Sequence, residues 1–206
     1  MTLEELKAAV TQMGQPAYRA GQVFHWLQAV GVTSFEEMTD LSKPFRAALQ
    51  ERFYIANAQV AQRLISQIDG TRKYVFQMHD GEYVESVLMA YHHGLSNCIS
   101  TQVGCKMGCT FCATGRSGFS RNLTAGEMIA QVQAAQRDGG SRISNIVLMG
   151  MGEPLDNYEN VLRFLDLISH PKGMQIGMRH ISLSTCGLVD RIYDLAERGY
   201  GLTLSV

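Results

Sequence analysis

Apolar positions along the 206-residue chain fall into three successive rhythms, each predicting a different kind of element. Over the first 56 residues the spacing is helical. Leu3, Leu6 and Val10 recur on one stripe behind Thr2, which makes a capping box with Glu5. Gly14 and Pro16 end that helix. Ala20, Val23, Phe24 and Leu27, with Trp26 beside them, form a second stripe that stops at Gly31. A third helix opens at Ser42-Lys43-Pro44, where proline suits a first turn, and carries Phe45, Ala48 and Leu49. From Ala58 to Tyr91 the period drops to two. Segments 59–68, 73–78 and 83–89 are rich in Val, Ile, Leu, Tyr and Phe, and Asp69-Gly70 and Asp80-Gly81 read as hairpin turns between them. A three-stranded antiparallel meander is expected.

After residue 97 strand and helix alternate. Strands are expected at 98–102, 146–149, 181–184 and 202–205. The helices between them run from the Thr124/Glu127 capping box to Gly139-Gly140, over 161–168, and over 188–198 before Gly199. This alternation predicts parallel βα units with right-handed crossovers, a class whose reactive groups sit on loops at the strands' carboxyl ends. The expected fold is α/β, a barrel or a doubly wound sheet over 98–206, preceded by a β-hairpin extension over 57–97 and a small helical unit over 1–56. Because the last strand reaches Val206, the barrel or sheet is expected to continue in a longer protein.

Composition narrows the class. With 46% apolar and 18% charged residues, disorder and fibre are excluded. The longest stretch without Asp, Glu, Lys or Arg is broken by His92, His93, Gly94 and Asn97, so no run of ~20 apolar residues can span a bilayer. Glu4 and Glu5 stand where a secretory signal carries lysines, which predicts a cytoplasmic, reducing location. There, five cysteines are expected as ligands or catalytic thiols rather than as a disulfide framework. A net charge of −1 argues against binding nucleic acid by bulk charge. Residues 101–150 nevertheless hold Lys106, Arg116, Arg121, Arg137 and Arg142 against Glu127 and Asp138, which suits either a few phosphate contacts or a solvated surface.

Cys105-x3-Cys109-x2-Cys112 is the sharpest motif. Three thiolates on one loop can hold three irons of a 4Fe-4S cube and leave the fourth open. A zinc site completed by Cys98 or Cys186, or three buried structural thiols, are the other readings. Gly104, Gly108 and Gly115 suit a loop that wraps closely around a bulky inorganic group. Gly150-Met151-Gly152-Glu153-Pro154 follows a buried strand. Its glycines allow close backbone approach and Glu153 offers a carboxylate to an ammonium, although such a loop is often only a turn. Ser184-Thr185-Cys186-Gly187 and Ser205-Val206 occupy equivalent strand ends, where hydroxyls can bind a ribose or carboxylate, or cap a helix. His92 and His93 adjoin on an expected strand and would face opposite sides, so they are assigned no role.

The cysteine loop followed by Gly-Glu-Pro resembles radical S-adenosylmethionine enzymes. More narrowly, 98–105 (CISTQVGC), 111–115 (FCATG), 118–123 (GFSRNL) and 150–155 (GMGEPL) resemble the dual-specificity ribosomal and transfer RNA adenine carbon-2 methyltransferases. Segments 18–27 and 35–39 resemble that family's helical RNA-binding accessory domain. The resemblance implies a radical-SAM barrel, a 4Fe-4S cluster on Cys105, Cys109 and Cys112, and S-adenosylmethionine held by Gly152, Glu153, Ser184, Ser205 and Val206. It implies that a methyl carried on a cysteine near the carboxyl terminus loses hydrogen to a 5′-deoxyadenosyl radical and adds to adenine. Cys98 matches the second catalytic cysteine, which resolves the protein–RNA crosslink with a transient disulfide, and Glu85 matches the proton acceptor. The implied partners are 23S rRNA, at the peptidyl-transferase centre, and tRNA, beside the anticodon. An electron donor such as flavodoxin or ferredoxin, no membrane and a monomeric state complete the expectation. The methyl-carrying cysteine has no counterpart after Cys186, so the chain by itself is expected to bind a cluster without transferring methyl. The alternatives are a carbon-8 methyltransferase of the antibiotic-resistance type and a zinc-bound RNA-binding module without chemistry.

Overall fold

The computed structural model describes residues 1–92 and 94–206; His93, paired above with His92, lies outside them. The amino-terminal helices form where the stripes place them. α1 (Leu3–Gln12) carries the Thr2/Glu5 capping box, and α2 (Arg19–His25) runs into a π-helical turn, Trp26–Val30, closed by Gly31 in the left-handed region at φ 76°. A short 3-10 turn at Phe35–Glu37 leads to α3 (Lys43–Arg52), with Pro44 in its first turn.

The strand region is a seven-stranded sheet in the order β1-β2-β3-β4-β7-β8-β9, and every strand through β4 is antiparallel to its predecessor. β1 (Gln59–Ile65), β2 (Arg72–Gln77) and β3 (Tyr83–Tyr91) are the expected meander. β4 (Gly94–Cys98) differs from the expected strand at 98–102 by starting four residues earlier. The chain leaves the sheet after Cys98 because the next backbone groups bond a loop instead: Gly150 N–H donates to Ile99 O and Thr101 N–H to Met151 O. His92 sits in the turn between β3 and β4 rather than on a strand.

β4 is also the junction, antiparallel to β3 and parallel to β7 (Ile143–Leu148). Before β7 come β5 (Gln102–Gly104), α4 (Ala113–Arg116), β6 (Phe119–Asn122) and α5 (Ala125–Gly139). After it come α6 (Tyr158–Ser169), β8 (Ile181–Ser184), α7 (Val189–Glu197) and β9 (Thr203–Ser205), with β7, β8 and β9 parallel. The alternation of four strands and three longer helices is as the pattern predicts. A two-stranded ribbon, β5–β6, was not expected.

The sheet is covered on one face only. Tyr74, Phe76, Val84, Leu88, Ile146, Leu148, Ile181 and Leu183 are buried in one core with residues of α5 and α6, each contributing about 1.5–3 kcal/mol. Their neighbours Glu85, Cys98, Asn145, Ser182 and Ser184 are only partly buried on the opposite face. A doubly wound sheet buries both faces, whereas here the face that carries Glu85, Val87, Cys98, Val147 and Ser182 is left partly open. The amino-terminal helices dock on α5, where Gln133 Nε2 donates to Leu27 O at 2.6 Å and Arg137 to Gly31 O at 2.9 Å.

Candidate active site

Two loops at the carboxyl ends of β4 and β7 are joined along their length. Besides the two backbone bonds above, Met151 N–H donates to Ser100 Oγ at 2.9 Å and Glu153 N–H to Gln102 Oε1 at 2.9 Å. Gly150 and Gly152 make this approach feasible. A Cβ on Gly150 would lie 2.6 Å from Ile99 O, and one on Gly152, already at φ +97°, would lie 2.5 Å from Gln102 Cβ. These glycines therefore bring loop against loop, where the sequence reading placed a ligand.

Buried amides complete the joint. Gln131, on α5, accepts from Ser100 N–H at 2.9 Å and donates to Ser100 O at 3.0 Å. Asn157 Nδ2 donates to Thr101 O and Leu123 O, both at 2.7 Å. Gln102 Nε2 donates to Asn122 at 2.8 Å and Asp156 at 2.7 Å. Sequence reasoning missed Ser100, Gln102, Gln131 and Asn157. The available signal was polar residues inside apolar runs, above all Gln131 on the buried stripe of α5.

The cysteine loop hangs from the β5–β6 ribbon. Gly104, at φ +74°, passes so close to Gly118 that a Cβ would fall 1.9 Å from its carbonyl oxygen, and Cys105 N–H donates to that same oxygen at 2.9 Å. Cys112 N–H donates to Cys109 O at 3.0 Å, and Cys112 opens α4, where the Gly115 N–H holds its thiol below the ordinary range. Cys105, Cys109 and Cys112 are partly buried free thiols. Three thiols on one loop match the three protein ligands of a 4Fe-4S cluster that keeps one iron open, whereas a structural zinc takes four ligands.

Register places the other candidates. Val87 pairs Cys98, Cys98 pairs Val147, and Val147 pairs Ser182, so Glu85, Cys98, Ser184 and Ser205 all lie on the open face. Glu85 Oε1 is 2.8 Å from Lys73 Nζ, and its backbone is fixed by Ser100 Oγ–H, donating to Glu85 O at 2.6 Å. Burial raises the Cys98 thiol, partly offset by the Met149 N–H. Glu153 is buried, its Oε1 accepting from Leu155 N–H at 2.9 Å and its Oε2 from Cys186 N–H at 2.8 Å. Ser184 pairs Ser205 across the parallel ladder, and Val206 follows, exposed, at the strand end. The Cys186 thiol is pushed up to about 11, first by burial and then by the Glu153 carboxylate that its own N–H bonds.

The basic residues counted for phosphate are mostly engaged. Arg121 contacts Asp80 at 2.6 Å and Glu127 at 2.8 and 3.1 Å, and Lys106 pairs with Asp156 at 2.9 Å. Arg137 and Arg142 bond backbone carbonyls. Arg116 alone of the five is exposed without a partner among the described residues.

Residues 1–55 match the family model described as the ribosomal RNA large subunit methyltransferase N-terminal domain, and residues 99–204 match the radical SAM superfamily. Probable dual-specificity RNA methyltransferases RlmN are 52% identical over 206 residues in Alkaliphilus oremlandii and 50% over 205 in Clostridium perfringens. Each alignment covers 100% of this chain and 60% or 59% of the relative, so the chain spans about three fifths of the curated relatives' length. The crystal structure of a radical SAM methyltransferase from Sphaerobacter thermophilus superposes with a TM-score of 0.93 at 42% identity, covering 99% of this chain and 61% of that one.

Proposed function

The chain belongs to the radical SAM superfamily, and from that premise we propose that it is the greater part of an RNA methyltransferase that modifies carbon 2 of adenine in 23S rRNA and in tRNA beside the anticodon. The observation that carries this reading is the register that sets Glu85 and Cys98 on one open sheet face, with Glu85 lining a cavity together with Thr114 and Ser117 of the cysteine loop. The amino-terminal helices, similar to a ribosomal RNA methyltransferase domain, support RNA as the substrate.

Each residue has a task in this reading. Cys105, Cys109 and Cys112 hold the 4Fe-4S cluster, which when bound supplies the electron that cleaves S-adenosylmethionine. Gly152, Glu153, Ser184, Ser205 and Val206 line the strand ends that orient that cofactor. Glu153, buried and held by two N–H donors, keeps free lone pairs for its ammonium. Glu85 accepts the proton released from the adenine carbon, with the Lys73 ammonium stabilising its anion. Cys98, a protonated thiol at neutral pH, resolves the crosslinked product. Residues 1–56, 57–97 and 98–206 act as RNA-binding domain, hairpin extension and catalytic core. Among the described residues no helix is long and apolar enough to cross a membrane. A cytoplasmic monomer reduced by a flavodoxin or ferredoxin is the working state.

Anaerobic reconstitution with iron and sulfide tests the reading. About four irons per chain, with broad visible charge-transfer absorption, supports it, and one tightly held zinc refutes it. Product mapping on RNA, with the protein extended to the length of its relatives, separates carbon 2 from carbon 8.

A further inference from the structure

On the same open face, two residues before Glu85, stands a side chain with no role so far. Tyr83 opens β3, and the two-residue period points it to Glu85's side of the sheet. It is 49% exposed, and its hydroxyl has no partner among the described residues. With Val75, Glu85, Thr114, Ser117 and Met151 it lines a cavity of about 320 Å³. The cavity is chemically mixed. Val75 and the Met151 thioether give it apolar wall, while the Glu85 carboxylate and the hydroxyls of Thr114 and Ser117 give it a polar edge. Flat heterocycles have that same division, with apolar faces and a hydrogen-bonding rim.

We propose that this cavity receives the adenine extruded from RNA, and that Tyr83 is the platform on which the base stacks. The proposal rests on the RNA methyltransferase reading and adds the position of the base. An enzyme that reacts at a base carbon must take the base out of its stack, and it repays the lost stacking with aromatic surface in its pocket. Among the described residues that line the cavity, Tyr83 is the aromatic one. It also places the ring two residues, about 7 Å along the strand, from the carboxylate that accepts the proton. The second purine in this chemistry belongs to S-adenosylmethionine. The residues proposed for that cofactor cap β7, β8 and β9, whereas Tyr83 and Glu85 lie on the other side of β4, so the cavity is assigned to the RNA base.

The test uses an RNA stem-loop carrying 2-aminopurine, an adenine analogue quenched by stacking, at the methylated position. The cluster-loaded chain is expected to bind it with the analogue quenched. Tyr83→Ala is expected to weaken binding roughly 5- to 100-fold and to leave the analogue several-fold brighter. Tyr83→Phe keeps both properties, because the ring rather than the hydroxyl carries the effect. A stem-loop lacking that base should bind the wild type and Tyr83→Ala equally, which a folding defect would not allow. Three results overturn the proposal. If Tyr83→Ala binds and quenches like the wild type, Tyr83 is no platform and the reading beneath survives. If Tyr83→Ala loses S-adenosylmethionine instead of RNA, the cavity belongs to the cofactor. If the wild type does not bind the stem-loop at all, the RNA reading falls and takes the proposal with it.

Discussion

The joined loops 99–102 and 150–157 and the cysteine loop 105–118 stand side by side and are built on opposite plans. Ser100, Thr101, Gln102, Glu153 and Asn157 are all buried, each tied by hydrogen bonds to another element. The cysteine loop carries Phe111 at 91% exposure, and much of its fixed geometry comes from the ribbon at its base. Groups that must keep one position are overdetermined by the fold. Groups that must close around a bulky inorganic cargo are left to be ordered by it.

The sharpest way to break this contrast is to remove one of the thiols proposed for the cluster. Cys105→Ala should lower iron loading from about four per chain to under one, while the melting temperature of the cluster-free protein moves by no more than about 2 °C. A large loss of stability would show the loop to be part of the scaffold. Gly150→Ala attacks the opposite side. Its Cβ meets backbone 2.6 Å away, so a cost of about 2–3 kcal/mol is expected, read as a melting temperature roughly 4–12 °C lower. Gln131→Leu should cost about 1–3 kcal/mol, because both backbone groups of Ser100 are left buried and unpaired, and urea unfolding measures it.

The smallest effect tests the anchor of the ribbon. Arg121 holds the Asp80 carboxyl below its ordinary range. Burial pushes Glu127 up, but the bonds from Arg121 and Thr124 outweigh it and leave that carboxyl lowered too. Carboxyls depressed in the folded state stabilise it above their unfolded values, near pH 4, and that contribution fades as pH falls through the folded values. Arg121→Gln should therefore flatten the acid side of the stability curve below about pH 4 and leave the region above pH 5 merely offset. An unchanged curve shape would show that the anchor does not titrate.

Much of this is legible in the sequence alone, for reasons that can be named. The capping boxes at Thr2 and Thr124 and the 3.6-residue stripes fix α1 and α5 because both signals are local. The cysteine spacing singled out its loop because few chemistries need three thiols so close. The start of β4 was not legible. Residues 94–102 carry no charge to break the pattern, and the strand ends where a distant loop captures its backbone. Glu85 was likewise invisible to local reasoning, since a carboxylate on a half-exposed strand looks like any other. Its standing came from resemblance, and its company from register.

The two neighbours of β4 also differ in when they can arrive. β3 is a short turn away, so that ladder closes on the timescale of a hairpin, in microseconds. β7 comes only after the whole cysteine loop and α5, and its parallel pairing must first offset the closure of a long loop. Synthesis of the chain therefore passes through an interval in which the antiparallel half exists and the edge of β4 is bare, with the thiols displayed beside it. The strand that joins the two halves of the sheet therefore gains its two neighbours at different times, the local one first and the distant one last.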